Sequence, residues 1–243
     1  RGGVSVTYPR LDILQSLAPA GDNFASPITS TSFYSNNVIA TKETGEPNHA
    51  GDTGGKSIWA TFTSGYNTRV SIDTHLSNFD TLLAIYTGNS VSALTTVASN
   101  DDDGSSNGTS GLIFIAQAGV TYQVAVDGRN GATGGFVFNL KYAPPVNDNF
   151  SARTAISSSS GQATGVTVAA TRETGEPSHA GLAPGSSVWW NWTAPAAGQI
   201  TIDTHGSGVG TVLAAYTGTS VNGLTSQAAN NNDGSPGGTS SVL

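Results

Sequence analysis

The residues with the most chemistry in this 243-residue chain are its four histidines, His49, His75, His179 and His205, and the carboxylates near them. His75 follows Asp73 by two residues in a stretch that alternates like a strand, so both side chains project from one face, about 7 Å apart. That spacing suits a pair of metal ligands or a proton relay, but no third ligand is near in sequence. A structural histidine is the favoured reading. His49 lies beside a Pro-Asn turn, where it is expected to bond backbone carbonyls and lock the loop.

Three carboxylates crowd together in Asn100-Asp101-Asp102-Asp103-Gly104. Their repulsion is costly unless water, salt or a hard cation intervenes, which makes Asp101 and Asp103 candidate calcium ligands. Asp233 is the matching candidate in Asn230-Asn231-Asn232-Asp233-Gly234. Asp before Gly is also ordinary turn chemistry, and a turn is the favoured role. Gly104-Ser105-Ser106-Asn107-Gly108 has the letters of a nucleophile elbow, yet it lies in a Gly- and Asp-rich loop with no helix after it. Gly51-Asp52-Thr53-Gly54-Gly55-Lys56-Ser57 imitates a phosphate loop, but it is one residue short and leads into a strand. Both read as chance matches, and the chain reads as a non-enzyme.

The elements that position these residues come in two copies. Thr41–Gly51, Thr-Lys-Glu-Thr-Gly-Glu-Pro-Asn-His-Ala-Gly, returns 130 residues later as Thr171–Gly181, Thr-Arg-Glu-Thr-Gly-Glu-Pro-Ser-His-Ala-Gly. The same offset carries Trp59 to Trp189, Asp73-Thr74-His75 to Asp203-Thr204-His205, Tyr86-Thr87-Gly88 to Tyr216-Thr217-Gly218, and Asp103-Gly104 to Asp233-Gly234. Self-similarity on that scale is a duplicated domain, far longer than a solenoid turn.

Composition points to strands. Gly is plentiful at 31, only 10% of residues are charged, and the apolar runs are short and bounded by Gly, Asn and Asp. Strands are expected at 37–41, 57–63, 68–74, 81–86, 110–117, 121–127 and 135–142. The fold class that follows is all-β, with two tandem antiparallel β-sandwich (jelly-roll-like) domains, the second incomplete. An N-terminal strand segment covers 1–21, repeat one 22–143, a Pro-containing linker 144–147, and repeat two 148–243. Cys is absent, so no disulfide staples the fold. A net charge of −7 without any Lys/Arg cluster argues against nucleic acid. No apolar run approaches the roughly 18 residues of a membrane-spanning helix.

Trp59 and Trp189 sit opposite the faces formed by Ile58, Ala60 and Phe62 and by Val188, Trp190 and Trp192. If they reach solvent they offer flat platforms for stacking sugar rings. Burial in a core is the favoured reading.

Asn147-Asp148-Asn149-Phe150-Ser151-Ala152, the strand ending Trp192-Thr193-Ala194-Pro195, and Val126-Asp127-Gly128 followed by Phe136-Val137-Phe138 carry a family resemblance. With the paired Gly-Glu-Pro-x-His-Ala-Gly blocks, almost everything from Asp22 onward resembles tandem pre-peptidase C-terminal-like β-sandwich repeats of secreted and surface bacterial proteins. The resemblance implies an extracellular accessory or structural domain, often stabilised by calcium, sometimes a binder of matrix or polysaccharide. It also implies an Asn-Asp calcium pair, which Asn147-Asp148 matches. Asp22 matches half of it, because Gly21 stands where Asn would. Glu43, Glu46, Glu173 and Glu176 are the acidic residues expected to join.

Residues 1–21 lie outside the duplicated body. Val4-Ser5-Val6-Thr7-Tyr8 alternates like a strand, and Leu11-Asp12-Ile13-Leu14 aligns with the final strand of a repeat. Repeat two stops at the equivalent of Ile113, so counterparts of residues 114–142 are missing. The two features are complementary. Val4–Leu17 is expected to insert into the second domain of a neighbouring copy, with Val4, Val6, Leu11 and Ile13 facing inward. Such a contact does not close on itself and builds a filament. The expectation is a structural subunit of an extracellular fibre or adhesive stalk. A calcium-stabilised carbohydrate- or matrix-binding module is the alternative, and a window of a longer covalent array accounts equally for the two ends.

Overall fold

The computed structural model describes residues 18–157, 161–183 and 185–242. The chain is all-β, built largely of antiparallel pairs, and it divides into two compact units, Arg1–Lys141 and Tyr142–Leu243. Val4, Val6, Leu11 and Ile13 lie outside the described residues.

The first unit has eight strands: β1 Ser32–Asn36, β2 Ile58–Thr63, β3 Thr68–Asp73, β4 Thr81–Thr87, β5 Thr95–Asn100, β6 Gly111–Ala116, β7 Thr121–Gly128 and β8 Gly135–Tyr142. They form two four-stranded sheets, ordered β1-β8-β3-β6 and β2-β7-β4-β5. Alternation decides which side chains meet. Val70 and Ile72 of β3, Phe114 of β6 and Phe136 and Phe138 of β8 join Ile58 of β2, Leu83 and Ile85 of β4 and Val124 and Val126 of β7 in one buried cluster. The opposite face of the second sheet buries a smaller cluster of Trp59, Ala84, Tyr86 and Ala125, with Phe24, Val91 and Leu94 against it. β4 is therefore covered on both faces, and its run Leu82-Leu83-Ala84-Ile85 is 0% exposed throughout.

Two strand assignments from sequence need correction. Residues 37–41 form no strand, and Val38 and Ile39 are half exposed. The strand lies earlier, at β1, whose only large inward residue is Phe33. Asn37 ends it. Its amide donates to Ala132 O and its side-chain oxygen accepts from Gly134 N, which turns the chain out of the sheet. β5 went unseen because Thr95-Thr96-Val97-Ala98-Ser99-Asn100 is a polar edge strand with little buried surface.

The second unit has β9 Thr154–Ile156, β10 Trp190–Trp192, β11 Ile202–Asp203, β12 Leu213–Thr217, β13 Thr225–Asn230 and β14 Ser241–Val242. They form three two-stranded sheets, β10-β9 parallel and β11-β14 and β12-β13 antiparallel. Local detail is repeated: the register shift at Ile85/Tyr86 recurs at Ala215/Tyr216, and the 3-10 turn Val91–Ala93 recurs as Val221–Gly223. Burial is not. Val70 and Ile72 are 0% exposed, while their counterparts Ile200 and Ile202 are 41% and 38% exposed. Leu82 at 0% becomes Val212 at 43%, and Phe79 at 8% becomes Val209 at 63%. No described residue of the second unit takes the places that β7 and β8 hold in the first. Among the described residues, no helix is long and apolar enough to cross a membrane.

Candidate functional site

The duplicated loop is assembled by three carboxylates, each with a separate task. Asp22 accepts hydrogen bonds from Thr41 N at 2.6 Å and from the Thr41 hydroxyl. Glu43 accepts one from Phe24 N at 2.6 Å, which ties the entry segment down. Glu46 accepts from Glu43 N at 2.8 Å through one oxygen and meets His49 Nε2 at 2.8 Å through the other. His49 Nδ1 lies 2.8 Å from the Tyr86 hydroxyl. The neutral tautomer that satisfies all three groups has Nε2–H donating to Glu46 and Tyr86 O–H donating to Nδ1. The imidazole packs edge-on to Trp59, which packs edge-on to Phe24. His49 was expected to bond backbone carbonyls. Its ring nitrogens serve side chains instead, because the turn brings Glu46 beneath it while β4 carries Tyr86 to its other nitrogen.

The second copy repeats every link. Asp148 takes Thr171 N at 2.6 Å, Glu173 takes Phe150 N at 2.5 Å, Glu176 bonds Glu173 N at 2.9 Å and His179 at 2.8 Å, and His179 reaches the Tyr216 hydroxyl at 2.7 Å. Asn147 donates to Trp189 O at 3.1 Å. Trp59 is fully buried and Trp189 only 8% exposed, so neither ring is a sugar platform here. They fill the aromatic cluster around the histidines.

Electrostatics agree with a structural network. Burial pushes the Glu46 carboxyl up, but hydrogen bonds from His49, Ser57 and Glu43 N outweigh it and hold Glu46 below its ordinary range. Burial, and then the charges of Glu46 and Asp127, push the Tyr86 hydroxyl well above its ordinary value, so it stays a donor. The six acidic residues proposed as calcium ligands around this loop already accept N–H or O–H donors.

A second polar network extends the Asp73–His75 pair read from sequence to partners far along the chain. His75 Nε2 lies 2.5 Å from Asp103 Oδ2, and its Nδ1 lies 3.5 Å from Asp73 Oδ1. Ser105 Oγ is 3.3 Å from the same Nε2, and Ser105 N donates to Asp103 Oδ1 at 2.9 Å. On the other side, Asn139 Nδ2 donates to Asp73 at 3.0 Å and Ser32 Oγ donates to Asn139 at 3.1 Å. His205, Asp203, Asp233 and Ser235 repeat the centre, with Nε2 2.8 Å from Asp233 and 3.2 Å from Ser235 Oγ. The set has the composition of a nucleophilic triad. Its geometry is wrong for one, because the Nε2 proton goes to the nearer Asp103 carboxylate and leaves no lone pair to activate Ser105. It ties the loop after β5 to the end of β3. The available signal was Asp-Gly-Ser at the same offset in both copies.

This network has a pH signature. Burial pushes the Asp103 carboxyl up, but hydrogen bonds from His75 and Ser105 outweigh it and hold it below its ordinary value of 3.8. Hydrogen bonds from Ser235 do the same for Asp233. A carboxyl with a depressed folded pKa stabilises the fold above its unfolded value, and the contribution is lost as pH falls through the folded pKa. Carboxyl titration by NMR should therefore place Asp103 and Asp233 below 3.8, with Ser105 and Ser235 amide exchange rising as they protonate. Midpoints at or above 3.8 would contradict the tether.

The third group is the acidic loop. Arg129 Nη1 lies 3.2 Å from Asp101, 3.5 Å from Asp102 and 4.0 Å from Asp80. Burial, and then neighbouring carboxylates, push the Asp80 carboxyl up. Burial raises that of Asp101 against the pull of Arg129. The cation among these carboxylates is a guanidinium. In the second copy Gly210, Asn231 and Asn232 stand at the positions of Asp80, Asp101 and Asp102, so the charge is gone. The acidic candidates thus fall into three places, the duplicated loop, the His75 tether and the Arg129 cluster. Among the described residues, no group of three or more His, Cys, Asp or Glu has the geometry of a metal site.

The Gly-rich 51–57 stretch does cradle an anion, an internal one. Gly55 N and Lys56 N each donate to the buried Asp127 carboxylate at 2.8 Å, and Gly128 N adds a third bond at 2.7 Å. Gly54 has φ +50°, and a Cβ there would collide with that carboxylate. Gly54→Ala should cost the first unit about 1–3 kcal/mol in chemical denaturation, through strain and loss of the cradle. An unchanged midpoint would remove Asp127 from the list of fold-defining residues.

The chain matches no protein-family model and no curated protein sequence.

Proposed function

We propose that this chain is a structural subunit of an extracellular fibre or adhesive stalk, built from tandem β-sandwich domains and joined head to tail by strand addition. The strand orders β1-β8-β3-β6 and β2-β7-β4-β5 suit a jelly-roll sandwich, and the core shared by the two sheets suits the same description. The observation that carries the reading is the domain-scale duplication, in which the second unit repeats the Glu-His-Tyr network of the first bond for bond and buries equivalent apolar residues less. Ile200, Ile202, Val209 and Val212 are exposed where Val70, Ile72, Phe79 and Leu82 are buried. An apolar face with unpaired strand edges is covered by added strands, which another copy supplies in this reading and the same polypeptide supplies in a longer covalent array.

The polar networks favour the same conclusion. Both duplicated histidine networks direct their side chains to each other and to backbone, which suits a fold built to persist. The competing carbohydrate module loses its Trp59 and Trp189 platform to burial. The reading is tested by sedimentation of residues 1–243 beside residues 18–243. The longer chain should form end-to-end polymers and the shorter one only small species. Identical distributions would refute strand addition.

A further inference from the structure

A strand at the edge of a sheet offers its outward N–H and C=O groups to any extended partner, so folded proteins guard their edges. The two sheets of the first unit have edges at β1, β6, β2 and β5, and three of these are guarded. β2 is covered by the entry segment: Ile28 N donates to Trp59 O at 2.9 Å, Thr61 N to Ile28 O at 2.8 Å and Trp59 N to Gly21 O at 2.7 Å. β5 is polar and meets β4 through the register shift at Ile85/Tyr86. β1 is five residues long and carries Ser32, Ser35 and Asn36.

β6 has none of these devices. Gly111-Leu112-Ile113-Phe114-Ile115-Ala116 contains no charge and no Pro, and its register against β3 runs without a shift. Among the described residues, no strand pairs with its other side. Ile113 and Ile115 stand on the outer face of the sheet, 52% and 67% exposed. Thr74 N donates to Ser110 O, so the even-numbered residues of β6 face β3, and the backbone groups of Ile113 and Ile115 point off the sheet. The open stretch is bounded at both ends. Gly111 N donates to Asn100 Oδ1 at 3.1 Å, and Gln117 N donates to the Tyr122 hydroxyl at 2.8 Å. Phe114 is the midpoint.

We propose that β6 of the first unit pairs antiparallel with β6 of a second copy, about a two-fold axis at Phe114. Ile113 then exchanges both backbone hydrogen bonds with Ile115 of the second copy, and the symmetry-related pair doubles them. Charge selects the antiparallel direction. Arg69 stands beside Ile115, while Asp73 stands beside Gly111, over which the Asp103 carboxylate also lies. The face is basic at one end and acidic at the other, and the two-fold axis sets unlike ends together. The same carboxylate selects the register. Centring on Ile113 would put Ile115 against Asp103, whereas centring on Phe114 puts isoleucine on isoleucine and Gln117 opposite Asp103. The contact is isologous and closes on itself. It is lateral, so it goes beyond head-to-tail joining and does not depend on it.

The chain contains no Cys, so introduced thiols report cleanly. Directly opposed residues on paired strands have Cβ atoms about 4.5–5.5 Å apart. Full-length Ile113→Cys and Ile115→Cys chains, mixed and oxidised with glutathione disulfide, should give a dominant reducible band at twice 24.5 kDa that contains one of each. Either chain alone should give little. Both side chains are exposed, so the melting of the first unit should be unchanged. Tyr34→Cys, at a position 72% exposed on the opposite edge of the same sheet, controls for collisions and should stay monomeric. Dimer from Ile113→Cys alone, or as much dimer from Tyr34→Cys, would overturn the proposal. So would no dimer from the mixture, the result expected if a segment of the same chain covers β6. The crosslink reads β6 alone, so each of these results leaves head-to-tail joining to the sedimentation comparison.

Discussion

Trp59→Ala is expected to destabilise the first unit by about 3–5 kcal/mol. The indole is 0% exposed and packs against Phe24 at 5.1 Å, His49 at 5.5 Å and Tyr86 at 6.0 Å between ring centres. Ala84 and Tyr86 on β4 and Ala125 on β7 are fixed in the sheet beneath it, so the cavity left by truncation has little freedom to collapse. Trp189→Ala should act in the same direction with a smaller effect, because Tyr216, which packs against it, is only half buried. Chemical denaturation followed separately for each unit checks both. A loss below about 1 kcal/mol for Trp59→Ala would contradict its place at the centre of the aromatic cluster.

His49→Ala should be about as damaging, by a different route. It leaves the Glu46 carboxylate, whose side chain is 0% exposed, without its principal partner, and it orphans the Tyr86 hydroxyl. Leaving a buried polar group without its partner costs about 1–3 kcal/mol, and more where that group is a charged carboxylate. Adding Glu46→Gln should recover part of the loss, because a neutral amide buries no charge and still accepts from Glu43 N. A double variant less stable than His49→Ala alone would show that the charge is not the cause. The sign with pH is fixed by Glu46. Its depressed folded pKa means that the network contributes above the ordinary value of 4.5, and the contribution fades as pH falls through the folded pKa.

The sequence made the strands with apolar alternation legible, and the duplication made the importance of the 41–51 loop legible. Thr68–Asp73 and Gly135–Tyr142 alternate because one face of each is half buried, whereas Ile58–Thr63 also buries Trp59 on its second face. β5 alternates too weakly to be seen, and β1 carries a single large inward residue. Strand propensity placed at Val38-Ile39 was overridden by the Asn37 side chain, which closes hydrogen bonds across to Ala132 and Gly134. At the site, residue types were readable and partners were not. Glu46, His49 and Tyr86 join through a contact 37 residues apart, and His75 meets Asp103 28 residues away. No local spacing rule reaches that far. Asp101 looked like a cation ligand because Arg129, which neutralises it, arrives from the turn after β7.

Hydrogen exchange on the two units tests the central claim most directly. In assembled material, amides of β10 and β12 should be protected comparably to those of β2 and β4 in the first unit. In dissociated chain they should exchange much faster, while β2 and β4 stay protected. Equal, strong protection of β10 and β12 in chain shown to be monomeric would contradict completion of the second unit by a strand from another copy.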